Sequence, residues 1–212
     1  MGRGPSVRSL GVSFPHRIVF VRHGETAYNA ENRLQGQRDV PLNGRGHEQA
    51  RAVGRLLRVH LGDTVDTLER ADAFVASPLE RTRETMIEVR EAMGLAPYRF
   101  RVDPALLELT FGAWEGLTWA EVHARDPKGI KARREDKWNF APPGGESYAM
   151  LTKRVSAWLA RQSADRFVVS HGGVARALMV LLAGIPPTAA AEAPIIQGRA
   201  ILFENGRSEW IA

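Results

Sequence analysis

The sequence predicts an α/β protein: a single three-layer α/β/α domain with a mostly parallel central sheet and a helical flap inserted in it. Three observations favour this fold class. Short apolar runs alternate with longer amphipathic segments, which is the order expected of βα units. The 212 residues suit one domain of this kind. Hydrophobic residues make up 44% and charged residues 25% of the chain, which is typical of a globular protein and not of a disordered or coiled-coil one.

The predicted strands are short segments rich in β-branched and aromatic residues. The clearest contain the runs IVFV and FVV, which lack polar interruptions and are therefore typical of buried strands. Near the C-terminus, Asn205 and Gly206 stand between two such segments, as in the turn of a β-hairpin. The predicted strands are residues 17–22, 71–77, 98–102, 166–170, 199–203 and 208–211.

Apolar residues at helical spacing predict the helices between these strands. In the first helix, Ala50, Val53 and Leu57 fall on one face. The second is expected to begin at a Ser-Pro pair, with Ser77 as its N-cap and Pro78 as its first residue. The predicted helices are residues 46–61, 78–93, 118–125, 130–135, 147–161 and 174–182.

The chain divides into an extension and one domain. Residues 1–16 are rich in Gly, Pro and Arg and lack the apolar core of a signal peptide, so we expect an N-terminal extension there. Residues 17–212 form the predicted domain. Within it, residues 106–143 mix short helical patterns with turns and are expected to form the flap.

The composition excludes several kinds of site and partner. The chain has no Cys, which excludes disulfides, thiolate metal sites and a Cys nucleophile, and which fits a reducing compartment. The most apolar segment, residues 174–185, contains Arg176 and is shorter than the roughly 18 apolar residues of a membrane span. We therefore expect a cytoplasmic protein without a membrane partner.

The charge balance is basic but dispersed. There are 29 Lys and Arg residues against 24 Asp and Glu residues, giving a formal net charge of +5. Most of the basic residues are Arg, whose planar guanidinium suits phosphate and carboxylate groups. A GC-rich coding bias would produce the same excess of Arg, so both explanations stay open. No long run of like charges occurs, and no nucleic-acid partner is predicted.

Two predicted strands end in the same way, with His followed by Gly. His23 and Gly24 follow the first strand, and His171 and Gly172 follow residues 166–170. Because the carboxyl ends of parallel strands form one crevice, we expect both imidazoles to open into a single site. The helix after His171 would direct its N-terminal N–H groups into the same crevice, which favours an anion.

A third strand end adds guanidinium groups to this crevice. Arg81 and Arg83 follow it on the next helix, where two residues so close in sequence cannot both face the crevice. Two imidazoles together with guanidinium groups are typical of a phosphate-binding site. Imidazole can also act as a nucleophile and form a covalent intermediate.

Transfer of a phosphoryl group also needs a proton donor for the leaving oxygen. Glu108 and Glu115 in the flap are both candidates, and their chemistry alone does not choose between them.

Seven short motifs in this order resemble those of the histidine phosphatase superfamily, the phosphoglycerate-mutase-like family. The resemblance extends over about residues 17–203, nearly the whole chain, and a chance match of so many ordered motifs is implausible. The motifs are Arg22-His23-Gly24, residues 33–36, residues 39–42, residues 77–81, residues 108–116, residues 142–147 and Ser170-His171-Gly172-Gly173.

The resemblance implies a role for each candidate residue. His23 is expected to be the nucleophile that becomes phosphohistidine, and Glu108 the general acid that later activates water. Phosphate or substrate contacts are expected from Arg22, Asn29, Gln35, Gly36, Arg81, His171 and the N–H of Gly172. For Gln35 and Gly36 a purely structural loop is the alternative. The family implies no metal and no cofactor, and the other His residues show no metal-ligand spacing.

The same site chemistry serves phosphatases and mutases. Mutases resembling the glycolytic enzyme carry a longer insertion after the general acid and a small hydroxyl residue where this chain has Gln35, which favours the phosphatase branch. The Arg133-Arg134 pair keeps a phosphoglycerate mutase as the alternative. A third hypothesis, of another class, is a non-catalytic phosphate-binding or scaffold protein.

We therefore predict a metal-independent phosphomonoesterase. Its expected partner is a small phosphorylated substrate, such as a sugar phosphate, a phosphoglycerate or α-ribazole phosphate. A homodimer is left open.

Overall fold

A computed structural model describes residues 14–70 and 73–211 of the chain. Most of the predicted N-terminal extension (1–16) and the start of the predicted strand 71–77 lie outside the described residues. The boundaries of the extension and of the flap stay predictions.

A mixed sheet forms the centre of the molecule, as the sequence predicted. Its strand order over the described residues is β3-β2-β4-β1-β5-β6. Strands β3, β2, β4 and β1 run parallel, and β5 pairs antiparallel with β1 and with β6. The strands are β1 (Ile18–Arg22), β2 (Phe74–Ala76), β3 (Arg101–Val102), β4 (Arg166–Ser170), β5 (Ala200–Glu204) and β6 (Arg207–Ile211).

Helices cover both faces of this sheet. They are α1 (Ala27–Ala30), α2 (Gly44–Leu61), α3 (Thr64–Arg70), α4 (Glu80–Ala92), α5 (Trp119–Arg125), α6 (Pro127–Glu135), α7 (Tyr148–Leu159), α8 (Gly172–Ala183) and α9 (Pro187–Glu192). Two 3-10 helices lie at Pro104–Leu106 and Gly112–Trp114.

The alternation of side chains along the strands produces the three layers. In β1, Val19 and Val21 belong to the core under α2 and α4, whereas Ile18 and Phe20 belong to the core under α7 and α8. The neighbouring strands show the same alternation, because successive side chains in a strand point to opposite faces of the sheet. Both faces are thereby buried, as expected of a parallel sheet.

One predicted helix start was wrong. Helix α4 begins at Glu80 with Leu79 as its N-cap, and that cap makes no side-chain hydrogen bond. The Ser77 hydroxyl is instead 2.8 Å from Nε2 of His171. Ser77 therefore contacts a candidate site residue and does not cap the helix.

Residues 106–143 form a small apolar core together with Leu34. Leu34, Trp114, Val122 and Ile130 form this cluster, and the ring of Phe140 stacks on Trp114 with the centroids 5.4 Å apart. This core fixes α5 and α6 beside the carboxyl end of the sheet. Among the described residues, no helix is both long and apolar enough to cross a membrane.

Candidate active site

Three neighbouring parallel strands bring the candidate residues together. The N–H of His23, directly after β1, donates to the carbonyl of Ser170 at 3.0 Å. The N–H of Ser77, directly after β2, donates to Val169 at 3.1 Å. The rings of His23 and His171 consequently lie edge to face with their centroids 5.2 Å apart. The sheet thus places both imidazoles in one crevice.

The His23 ring is held in one tautomer. Its Nδ1 lies 2.7 Å from the carbonyl oxygen of Gly24. Because a carbonyl can only accept, Nδ1 carries the ring proton and Nε2 keeps its lone pair. The pKa of His23 is well below its ordinary value, first because the ring is buried and then because Arg81 and Arg22 are close. The ring is therefore a neutral imidazole whose Nε2 can act as a nucleophile.

His171 is also buried and neutral. Its pKa is lowered first by burial and then by the charge of Arg81. When the hydroxyl of Ser77 donates to Nε2, the proton of the ring sits on Nδ1. This ring can then donate a hydrogen bond to an anion.

Arg81 is buried at the first turn of α4 and is held by backbone carbonyls. Its Nη1 donates to the carbonyl of Arg38 and its Nη2 to the carbonyl of Gly36, each at 2.8 Å. Burial lowers the pKa of Arg81 to about 10, so the guanidinium remains charged near neutral pH. Arg83, two residues on, is exposed, as expected if only one of the two faces the crevice.

Arg22 is fixed in the same manner at the end of β1. Its Nη1 donates to the carbonyl of Ile195 at 2.6 Å. Burial is the main cause that lowers the pKa of Arg22, and Glu108 opposes this shift. Arg22 and Arg81 are thus cations held by neutral carbonyl groups.

Several polar atoms around this crevice are buried without a protein partner. Among the described residues, Nε of Arg22, Nε of Arg81 and Nδ1 of His171 have no hydrogen-bond partner. Buried polar groups in proteins are normally hydrogen-bonded. Two guanidinium groups and an imidazole in this arrangement suit the oxygens of a phosphoryl group.

The structure separates the two candidate carboxylates. Glu108 accepts from the N–H of Leu109 and of Gly173, both at 3.0 Å, which places it at the N-terminus of α8 beside the crevice. Oε1 of Glu115 instead accepts from Thr110 and from the N–H groups of Phe111 and Gln37. Glu115 therefore joins residues 110–111 to the loop that contains Gln35 and Gly36.

The remaining predicted residues lie around the same crevice. Oδ1 of Asn29 accepts from the N–H of Thr26 at 3.2 Å. Gln35 is buried, and its Oε1 has no partner among the described residues. Gly36 adopts a φ of 52°, a conformation suited to glycine, and Gly172 is the first residue of α8.

Sequence reasoning missed four residues that contact this site. They are Ser77, Thr85, Arg176 and Gln197. Thr85 accepts from the N–H of Gly24 at 3.1 Å. Arg176 was recognisable as a charged residue in an apolar helix, but no pattern around Gln197 connects it to residues near the other end of the chain.

Within residues 14–70 and 73–211, no three His, Asp or Glu side chains are grouped so that they could hold a metal ion.

Two known sequences and one solved structure illustrate what the chain is similar to. Glucosyl-3-phosphoglycerate phosphatase of Mycobacterium tuberculosis is 36% identical over 183 residues, covering 80% of this chain and 76% of the relative. A probable phosphoglycerate mutase of Erwinia tasmaniensis is 31% identical over 201 residues, covering 92% of this chain and 88% of the relative. The solved structure of mycobacterial glucosyl-3-phosphoglycerate phosphatase with VO3 superposes with a TM-score of 0.71 at 30% identity. The superposition covers 92% of this chain and 96% of that structure's chain.

The family model for the histidine phosphatase superfamily, branch 1, matches residues 18–210. This match includes β1 to β5, all of β6 except its last residue, and every candidate residue of the crevice. The chain belongs to the histidine phosphatase superfamily, branch 1.

Proposed function

We propose that this protein is a phosphomonoesterase that hydrolyses a small phosphorylated metabolite through a phosphohistidine on His23. The observation that carries the proposal is the Nδ1–H tautomer of His23, whose free Nε2 faces a crevice lined by Arg22, Arg81 and His171. A neutral imidazole beside two guanidinium groups supplies both the nucleophile and the charges that bind its target.

In the first step, Nε2 of His23 attacks phosphorus while the bond from phosphorus to the leaving oxygen breaks. Glu108, protonated at this stage, gives its proton to that oxygen. Arg22, Arg81 and His171 bind the phosphoryl oxygens as negative charge moves among them. The products of this step are the free alcohol and phosphohistidine.

In the second step, water attacks the phosphorus of phosphohistidine. The Glu108 carboxylate accepts a proton from this water, the bond from nitrogen to phosphorus breaks, and Nε2 regains its lone pair. Inorganic phosphate leaves, and Glu108 is again protonated for the next cycle. No metal ion enters either step.

The alcohol part of the substrate is expected to carry an anionic group. Beyond Arg22 lie two further cations, Arg176 and Arg133, whose charges act on each other and on Tyr148. Arg133 is partly buried and lies over the ring of Trp119 at 4.6 Å from its centroid. The M. tuberculosis relative is named for a substrate that contains a phosphoglycerate. A phosphorylated glycerate or acidic sugar is the class we propose.

A phosphoglycerate mutase is the second candidate function. The E. tasmaniensis relative carries that name, and the Arg133-Arg134 pair lies in the last turn of α6. The two functions differ in whether water or a second hydroxyl takes the phosphoryl group from His23.

The experiment is phosphate release from about fifty phosphorylated metabolites with EDTA present, using His23→Ala as the control. A matched pair is 3-phosphoglycerate and glycerol 3-phosphate, which differ in one carboxylate. Conversion of 3-phosphoglycerate to 2-phosphoglycerate is followed in parallel. Release that depends on His23 supports the phosphatase, and isomerisation without release supports the mutase. The absence of both activities would overturn the phosphatase and the mutase functions and would favour a phosphate-binding protein.

A further inference from the structure

Residues 193–199 connect α9 to β5, and residues 193–197 of this connection lie across the candidate site. Two carbonyl groups of this segment accept hydrogen bonds from cations of the candidate site. The carbonyl of Ala193 accepts from Nη2 of Arg176 at 2.9 Å, and the carbonyl of Ile195 accepts from Nη1 of Arg22 at 2.6 Å. The contacts fall on alternate residues of the segment. The next residue in this alternation is Gln197.

Gln197 contacts the backbone next to the nucleophile. Its Nε2 lies 3.2 Å from the carbonyl oxygen of Gly24, the same oxygen that accepts from Nδ1 of His23. Since this oxygen can only accept, the atom of Gln197 that faces it must be the amide nitrogen. Two donors therefore hold the carbonyl that fixes the tautomer of His23.

The same amide nitrogen also orients Asn29. It donates to Oδ1 of Asn29 at 2.8 Å, and the backbone N–H of Thr26 donates to that oxygen at 3.2 Å. A backbone N–H can only donate, so the oxygen of the Asn29 amide must face it. Nδ2 of Asn29 has no hydrogen-bond partner in the part of the chain that the structure describes, and it is the end left to donate to a phosphoryl oxygen.

We propose that Gln197 is a positioning residue for the phosphoryl transfer at His23. It holds the Gly24 carbonyl that keeps the proton of His23 on Nδ1, and it occupies Oδ1 of Asn29 so that Nδ2 stays available to the substrate. Gln197 itself touches no reacting atom. This inference rests on the proposed phosphatase function.

Two variants whose new side chains are close in size to Gln test the proposal. Gln197→Met removes the donor, and Gln197→Glu replaces it with a carboxylate that faces two acceptor oxygens. We expect the rate of phosphoenzyme formation, measured per active site with a chromogenic phosphomonoester, to fall between about tenfold and a hundredfold in both. In Gln197→Glu we also expect the acidic limb of the profile of kcat/KM against pH to move to higher pH, because the new carboxylate stabilises the protonated His23 ring.

Two control variants separate this role from a general effect on folding. Gln162→Glu makes the same chemical change at an amide that donates to Trp158 at 2.8 Å, at the far end of β4. Ile196→Ala changes an exposed side chain, 42% accessible, within the segment itself. Both are expected to keep the wild-type rate within about twofold and to leave the pH profile unchanged.

The outcomes distinguish the inference from the function on which it rests. If the wild type is active, His23→Ala is inactive and both Gln197 variants keep wild-type rates and pH profiles, the inference is overturned and the phosphatase stands. If the wild type releases no phosphate from any compound, the proposed function fails and the inference fails with it. A destabilised variant is judged by its single-turnover rate per folded site, which a purely structural role would leave unchanged.

Discussion

The His23 imidazole is kept neutral by its surroundings and not by a carboxylate partner. Burial and the nearby charges of Arg81 and Arg22 all oppose its protonation, and the same causes act on His171. This differs from catalytic triads, in which an Asp orients the imidazole. Here the carbonyl of Gly24 fixes the tautomer, so the proposed nucleophile is oriented without an added negative charge.

This arrangement predicts an unusual titration. As the pH falls below about 6.5, the ordinary value for His, the unfolded chain takes up protons while the folded rings of His23 and His171 stay neutral. The free energy of unfolding therefore decreases as the pH falls, until the folded pKa is reached. Ring resonances in 15N NMR spectra should show the Nδ1–H tautomer of His23 well below pH 6.5. A ring that titrates at about 6.5 would contradict this account.

The role proposed for Glu108 predicts a dependence on the leaving group. Glu108→Gln keeps the size of the side chain but removes the transferable proton. We expect kcat for alkyl phosphates to fall by about a hundredfold or more, and kcat for p-nitrophenyl phosphate to fall less, since p-nitrophenolate leaves without much protonation. The control is Glu115→Gln, which leaves the acid in place. Equal losses on both substrates in Glu108→Gln would assign the acid to another residue.

At the residue scale, the sequence was informative where a strand-end motif carried the signal. Arg22, His23 and His171 directly follow or end strands, so the topology of a parallel sheet was enough to predict that they meet. The choice of Glu108 over Glu115 needed the family resemblance. Gln197 could not be predicted, since its partners are 168 and 173 residues away in the chain and depend on the path of a loop.

Among the structural elements, the N-terminal turn of α8 packs tightly against Glu108. A Cβ placed on Gly173 would overlap Oε1 of Glu108 and would lie 2.9 Å from methyl groups of Leu109 and Leu151. Only glycine allows the helix to approach the carboxylate closely enough for the N–H of Gly173 to donate to it at 3.0 Å. Helix α8 and the proposed general acid, Glu108, are therefore positioned together.

This packing predicts the effect of one added methyl group. Gly173→Ala should displace the Glu108 carboxylate, lowering kcat by about tenfold or more and the free energy of unfolding by about 1–3 kcal/mol. Activity assays and urea unfolding measure the two effects. The matched control is Gly44→Ala at the start of α2, where a Cβ would meet nothing within 4 Å. Wild-type activity in Gly173→Ala would show that the site tolerates movement of this carboxylate.

The elements also show which predictions the sequence supports. The hairpin of β5 and β6 was correctly located because Asn205 and Gly206 adopt the positive φ angles, 51° and 75°, that a tight hairpin turn requires. The short helices α1, α3 and α9 were not predicted, although α5, which is no longer than α3, was. Ser77 was assigned to the wrong partner because a Ser-Pro pair suits a helix start on local grounds, whereas His171 comes from a distant strand.

For the molecule as a whole, the sheet gathers like charges at one edge. Arg22 and Arg81 are brought close to two buried imidazoles, and burial lowers the pKa of both guanidinium groups. Their direct hydrogen bonds go to carbonyl groups, which do not neutralise their charge. The charge of Glu108 acts on both guanidinium groups and offsets part of their positive charge. An oxyanion bound in the crevice would stabilise these cations further.

It follows that phosphate should stabilise the folded protein. A ligand that binds only the native state at a hundred times its Kd raises the free energy of unfolding by about 2.7 kcal/mol. We expect inorganic phosphate to increase the midpoint of urea unfolding relative to chloride at equal ionic strength. Arg81→Met should abolish most of this increase, whereas Arg83→Met, which removes an exposed cation from the same helix, should preserve it. Comparing the increase within each variant separates anion binding from any loss of stability caused by the substitution itself. An equal response in the two variants would mean that phosphate acts through the general positive charge of the surface and not through the crevice.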